Sequence, residues 1–200
     1  MFRYFFWKLC SKKIYKVTCP TELTKKHLEK YNIFQNSKLI TLYDPIFSAA
    51  DTIRRHNNIK NDNKFLLSAG RLTRQKNFSF LIEAFSKIKL SDTILYIAGE
   101  GEEKNKLINL INKKNLNDKV KLIGYRSDLF ELMNKCECFI LTSMWEDPGF
   151  VLVEAAISRA TIISSDCENG PREIIQNEKN GFLFKNNDLN DFVKSFNRYK

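Results

Sequence analysis

From residue 63 onward, short apolar runs alternate with segments of helical spacing, and this alternation constrains the fold more than any other feature. Residues 64–69 (KFLLSA) form an apolar run closed by Gly70, and Phe78, Leu81, Ile82, Phe85 and Ile88 then recur at the period of a helix. Residues 93–98 (TILYIA) repeat the run and end at Gly99, a helix is predicted over 102–115, and residues 120–123 make a third run ending at Gly124. A helix from Ser127 or Asp128 to Met133, a strand over 138–142, a helix over 150–158 and a strand over 161–165 follow. A short helix at 172–176, a short strand at 181–184 and a closing helix at 189–198 complete the series. Apolar strands separated by helices imply a parallel sheet with helices on both faces, an α/β, Rossmann-like fold. Such sheets take ligands beyond the carboxyl ends of their strands, so chemistry is expected in the residues that follow each strand.

The first fifty residues read differently. An amphipathic helix opens the chain, with Phe2, Phe5, Phe6 and Leu9 on one face and Lys8, Lys12 and Lys13 elsewhere. A strand over 15–19, a helix over 21–31 and a strand over 38–43 follow, and Asp44-Pro45 closes them. The expected division is a small α/β segment at 1–50, a polar linker at 51–62 and the main domain at 63–200. With so little sheet to join, Phe2, Phe5, Phe6, Trp7 and Ile14 are expected to form an exposed apolar patch. Charge follows the same division. Residues 1–60 hold 12 Lys and Arg against 4 Asp and Glu, whereas the remainder is nearly balanced within a total charge of +10. A basic segment attracts phosphates of nucleic acid, anionic lipid or nucleotide alike.

Other features exclude. No run of apolar residues has the length of a membrane-spanning helix. Two histidines rule out a histidine-rich metal site. The five cysteines (Cys10, Cys19, Cys136, Cys138 and Cys167) are odd in number, and Cys136-x-Cys138 has neither zinc nor redox spacing. They read as buried, reduced thiols of a cytoplasmic protein.

Two strand ends carry chemical signals. After the first strand of the main domain comes Gly70-Arg71-Leu72-Thr73-Arg74-Gln75-Lys76, with three cations in six residues. Arg71 can grip phosphate oxygens bidentately and Lys76 can act as a point charge, which suits a diphosphate. After the fourth strand comes Trp145-Glu146-Asp147-Pro148-Gly149-Phe150, and a helix begins there. Helix-start amides over Phe150, Val151 and Leu152 suit an anion. Glu146 and Glu154, bracketing that turn, would repel the same anion, so sugar hydroxyls are their natural partners.

Together, Gly70-Arg71…Lys76 and the Glu146-x7-Glu154 pair resemble the nucleotide-sugar-binding half of the family 4 glycosyltransferases, which are retaining and of GT-B fold. The order of motifs from Phe65 to Phe184 follows that family, through Ala98-Gly99-Glu100-Gly101, Leu122-Ile123-Gly124-Tyr125, Gly170-Pro171-Arg172-Glu173 and Asn180-Gly181-Phe182. The resemblance implies that Arg71 and Lys76 hold the donor diphosphate as a leaving group beside Gly70. It implies that Gly149, Phe150, Val151 and Leu152 present amides to phosphates and sugar. Glu146 would bond the donor sugar, Glu154 the ribose, and Tyr125 and Arg126 would lie in the base-binding loop. Transfer would proceed with retention and without an essential metal, from a UDP- or GDP-sugar to a glycan or lipid-linked acceptor of bacterial surface polysaccharide. Peripheral contact with the inner face of the plasma membrane would come through the basic N-terminal segment.

The departures from that family matter too. Residues 2–50 resemble only the end of its acceptor-binding domain, with Val17-Thr18-Cys19-Pro20-Thr21-Glu22 as a strand end. Neither His27 nor His56 matches the family's active-site histidine. The expectation is therefore a truncated enzyme, with a non-catalytic remnant or half of a split enzyme as the alternative. A dinucleotide oxidoreductase is disfavoured because Lys104 stands where the Gly99-x-Gly101 fingerprint needs Gly or Ala. Nucleic-acid binding, supported by the basic charge of residues 1–60 with Phe2, Tyr4, Phe5, Phe6 and Trp7 interleaved, is disfavoured as the main function.

Overall fold

The computed structural model describes residues 2–45, 65–88, 90 and 92–200. The chain divides into two compact units, Met1–Ile46 and Phe47–Lys200. The predicted linker and His56 lie outside the described residues.

The first unit holds α1 (Phe2–Cys10), β1 (Val17–Cys19), α2 (Glu22–Tyr31) and β2 (Leu39–Thr41). β1 and β2 pair in parallel, with Cys19 opposite Thr41. Both strands are shorter than predicted. The first begins at Val17 instead of Tyr15, and a 3₁₀ turn over Asn36–Lys38 takes the start of the second. Thr21 caps α2 by accepting from the Thr24 amide at 3.0 Å, and Asn32 closes it in the left-handed region. A small core gathers Cys19, Phe34 and Leu39, with Ile14, Val17, Leu28 and Ile33 packed on it. Ile14 therefore does not belong to the expected exposed patch, because this core covers it. Phe5, Phe6 and Trp7 of α1 are exposed as expected, Leu9 is exposed as well, and the side chain of Phe2 is outside the description.

The second unit carries β3 (Phe65–Ala69), α3 (Phe78–Phe85), β4 (Ile94–Ala98), α4 (Lys104–Lys113), β5 (Val120–Gly124), α5 (Leu129–Lys135), β6 (Cys138–Leu141), α6 (Phe150–Ile157), β7 (Ile162–Asp166), α7 (Pro171–Ile174), β8 (Phe182–Lys185) and α8 (Leu189–Tyr199). All six strands are parallel, in the order β5-β4-β3-β6-β7-β8. This is the expected α/β sheet with helices on both faces, matching the predicted elements apart from a residue or two at their ends.

Period-two alternation in the strands divides the core. Leu66, Ile97, Ile140 and Ile163 face α3, α4 and α8, where Phe78, Leu81, Leu107, Phe192 and Phe196 meet them. Phe65, Leu67, Phe139, Leu141 and Ile162 face the other way, toward Met133 of α5 and Leu152 and Ala155 of α6. The sides follow from right-handed crossovers. Connections running from β3 to β4 and β5 put their helices on one face. The chain then returns past β3 to build β6 and β7, moving in the opposite direction, so its helices fall on the other face. The reversal point lies between β3 and β6.

Candidate functional site

At that reversal the loops beyond two adjacent strand ends meet, which is where sheets of this kind bind their ligands. β3 leads into Gly70–Lys76 and β6 into the loop that ends at Gly149. The Lys76 ammonium lies 2.6 Å from Glu146 Oε1, joining residues seventy positions apart. Ser143 Oγ donates to the same oxygen at 2.5 Å. The pair is well covered, the side chains being 13% and 4% exposed. A buried carboxylate is tolerated only when paired and hydrogen-bonded, and Glu146 is both. With Oε1 held by two donors, Oε2 is the oxygen left for a third group.

The lysine loop is built on glycines. Gly99 has φ +140°, and a methyl group there would stand 1.9 Å from the Gly70 carbonyl oxygen. A side chain at Gly101 would likewise meet the Leu72 backbone at 2.5 Å. With these glycines the loops nest, and the Gly70 amide donates to Ala98 at 3.0 Å and the Leu72 amide to Glu100 at 2.8 Å. The aliphatic stem of Lys76 passes over Gly70, where an added methyl would lie 3.1 Å from its Cε.

The β6 loop is clamped on both sides. Gln75 accepts from the Met144 amide at 2.8 Å through its carbonyl and donates to the Trp145 carbonyl at 2.9 Å through its side chain. Opposite, the Glu146 amide donates to the Glu168 carbonyl at 3.0 Å, and Asn169 Nδ2 donates to Asp147 at 2.9 Å. Asn186 Nδ2 donates to the Met144 carbonyl at 2.9 Å, and Ser165 Oγ to the Ser143 carbonyl at 2.7 Å. Sequence reasoning missed Ser143, Gln75, Glu168, Asn169 and Asn186. Ser143 and Glu168 follow strand ends and were within reach of that rule. Asn186, directly after β8, and Gln75, in the loop after β3, were within reach of it too, but which loops pair, as Asn169 with Asp147, is encoded by no local pattern.

Gly149 starts α6 with φ +90° and ψ +53°, a left-handed conformation that glycine adopts without Cβ strain. The Phe150 and Val151 amides are first-turn donors with no acceptor inside the helix. Leu152 departs from expectation. Its amide donates to the Gly149 carbonyl at 2.9 Å and its side chain is fully buried, so it anchors the helix instead of facing an anion. Glu154 is half-buried on the same helix.

The remaining predicted residues lie as follows. Arg71 and Arg74 are exposed, Arg74 within the 3₁₀ turn Arg74–Lys76. Tyr125 is exposed beyond β5. Arg126 clamps Asp128 bidentately at 2.8 and 2.6 Å, and that bond raises its pKa. Asp128 is thus held by Arg126 and gives no side-chain cap to α5. Arg172 forks in the same way onto Asp166 at the end of β7. Cys167 is buried near the site, and burial pushes its thiol up to about 11. All five cysteines are free. His27 is exposed on α2.

The glycosyl transferases group 1 family model matches residues 49–200. An uncharacterized glycosyltransferase of Methanocaldococcus jannaschii is 40% identical over 129 residues, covering 64% of this chain and 32% of its own. The Campylobacter jejuni N-acetylgalactosamine-N,N'-diacetylbacillosaminyl-diphospho-undecaprenol 4-alpha-N-acetylgalactosaminyltransferase is 38% identical over 120 residues, covering 60% of this chain and 33% of its own. Among solved structures, a variant of S. aureus TarM in complex with fondaparinux, alpha-GlcNAc-glycerol and UDP superposes with a TM-score of 0.82 at 26% identity. It covers 98% of this chain and 39% of that one. The chain thus spans about a third of the length of the two sequence relatives and somewhat more of TarM. With three quarters of its residues inside the family model, this chain belongs to the glycosyl transferases group 1 family.

Proposed function

We propose that this chain binds a nucleotide-diphosphate sugar between β3 and β6. In this reading it serves a retaining, family 4 GT-B transfer to a glycan or lipid-linked acceptor in bacterial surface polysaccharide synthesis. The observation that carries the reading is the Lys76–Glu146 pair at the sheet's reversal point. The S. aureus structure was solved with UDP, which makes UDP the first nucleotide to test, ahead of GDP. The C. jejuni relative is named for a diphospho-undecaprenol substrate, which supports a lipid-linked acceptor and contact with a membrane surface through the basic N-terminal segment.

The roles in this reading draw on the family resemblance together with the geometry of the two loops. Arg71 is exposed beside Gly70 and has no ion-pair partner among the described residues. It grips the diphosphate, with Lys76 and the Phe150 and Val151 amides adding positive potential. As the bond from the anomeric carbon to the diphosphate oxygen breaks, negative charge grows on the leaving phosphate and these groups stabilise it without a metal. The acceptor oxygen bonds to the anomeric carbon on the face the diphosphate leaves, and the acceptor's proton departs with the diphosphate. Oε2 of Glu146 accepts from donor-sugar hydroxyls, Glu154 accepts from the ribose, and Tyr125 and Arg126 flank the base.

Calorimetric titration tests the reading. Arg71→Ala is expected to weaken UDP binding by about 2–3 kcal/mol, the loss of a charge-assisted pair, while Arg74→Ala changes little. Unchanged affinity in Arg71→Ala removes that residue from the site. The two glutamates separate by ligand. Glu154→Gln should weaken UDP and the UDP-sugar alike, by about 1–2 kcal/mol. Glu146→Gln should spare UDP and weaken the UDP-sugar. Equal losses for both ligands in Glu146→Gln overturn the assignment of its Oε2 to the sugar.

A further inference from the structure

The hydroxyls buried at the carboxyl ends of β6 and β7 form an ordered set. Thr142, Ser143 and Ser165 are each no more than 1% exposed. Thr142 Oγ1 donates to the Lys76 carbonyl at 3.0 Å, Ser143 Oγ to Glu146 Oε1 at 2.5 Å, and Ser165 Oγ to the Ser143 carbonyl at 2.7 Å. Consecutive residues thus serve the two members of one ion pair. Thr142 fixes the backbone of the lysine, and Ser143 fixes the carboxylate of the glutamate.

The two donors on Oε1 are not equivalent. The Lys76 ammonium ends a long, flexible stem and is the group that a diphosphate would draw away. The Ser143 hydroxyl sits on a short side chain whose backbone is held on both sides. Ser165 bonds its carbonyl, and the next amide, that of Met144, donates to the Gln75 carbonyl at 2.8 Å. An ionised carboxylate only accepts, so the single hydroxyl hydrogen of Ser143 must point at it. A buried hydroxyl costs free energy unless it is bonded, and alanine would occupy the position without that cost. What the hydroxyl adds over alanine is therefore the fixed position of the carboxylate.

We propose that Ser143 is a positioning residue for the donor sugar. It keeps Oε1 of Glu146 fixed when Lys76 turns to the diphosphate, so that Oε2 stays aimed at the sugar hydroxyls. The inference rests on the donor-site reading above and adds the residue that holds its glutamate.

The test is calorimetric titration of the full chain with UDP, UDP-glucose and UDP-N-acetylglucosamine. In Ser143→Ala, affinity for whichever UDP-sugar the parent binds better should fall about tenfold, the loss of one charge-assisted bond, while affinity for UDP changes less than about twofold. Ser143→Cys, which fills the same space with a weaker donor, should show the same split. Ser195→Ala removes a buried hydroxyl of α8 that donates to the Leu183 carbonyl at 3.1 Å, and it should leave both affinities unaltered even where it lowers stability. In a Glu146→Ala background, Ser143→Ala should have no further effect on either ligand, because its action passes through the carboxylate. Equal losses for UDP and the UDP-sugar in Ser143→Ala overturn the assignment, as does an unaltered UDP-sugar affinity. So does a Ser143→Ala effect that survives in full without the Glu146 carboxylate. A parent chain that binds neither ligand overturns the donor-site reading and the role of Ser143 with it, whereas a missing split in a chain that binds both overturns this assignment alone.

Discussion

Lys76→Met is expected to lower the unfolding free energy by about 3–5 kcal/mol, the cost of leaving a buried charge without its partner. Glu146 is 4% exposed and its Oε1 accepts from Lys76 and Ser143, so loss of the ammonium leaves the carboxylate with one hydroxyl in a covered site. Urea titration measures the loss as a shift in midpoint at constant slope. Adding Glu146→Gln should return most of it, because the uncompensated charge is then gone, and the two changes should be strongly non-additive. A midpoint shift below about 1 kcal/mol in Lys76→Met would mean that the two groups are solvated separately. Removing the lysine should also weaken UDP, whereas the double variant should regain stability without regaining affinity. That split distinguishes Lys76 as a phosphate ligand from Lys76 as a counter-ion alone.

Gly99→Ala is expected to cost about 3 kcal/mol or more, combining backbone strain with overpacking. The residue has φ +140°, and its new methyl would meet the Gly70 carbonyl at 1.9 Å, where backbone and no flexible side chain must yield. The loop that carries Arg71 and Lys76 has to lift, breaking the Gly70-to-Ala98 and Leu72-to-Glu100 bonds. UDP affinity should therefore fall in Gly99→Ala although the residue touches no ligand in the proposed site. Thermal unfolding and calorimetry on the same variant test both halves. A variant as stable as the parent would show that the two loops can separate at little cost.

The element types were legible in the sequence because their causes are local. β3 and β6 are almost wholly apolar and β7 opens with two isoleucines, so burial on both sides follows from composition. Helical spacing from Phe78 to Phe85 and the glycines at strand ends mark where the chain changes direction. The rule that parallel sheets bind beyond their carboxyl ends then pointed to Arg71, Lys76, Gly149 and Glu146 before any pairing was known.

What tertiary structure alone decided is which strand ends meet. The same alternation of strands and helices is compatible with several strand orders. The choice among them rests on long-range pairing, here Leu66 with Cys138 and Leu67 with Phe139, more than seventy positions apart. That pairing sets the β3 loop beside the β6 loop, turning two separate basic and acidic signals into the single Lys76–Glu146–Ser143 cluster. It also brings Gln75, Glu168 and Asn169 to the loop they clamp. Two local expectations gave way for the same reason. Leu152 is drawn into the core by Phe139 and Leu141 on the facing strand, and Ile14 is covered by Phe34 and Leu39. Residue type and spacing determined which chemistry the chain carries, and where each strand ends. Which charges stand within 3 Å of one another depends on strand order, which is a property of the sheet as a whole.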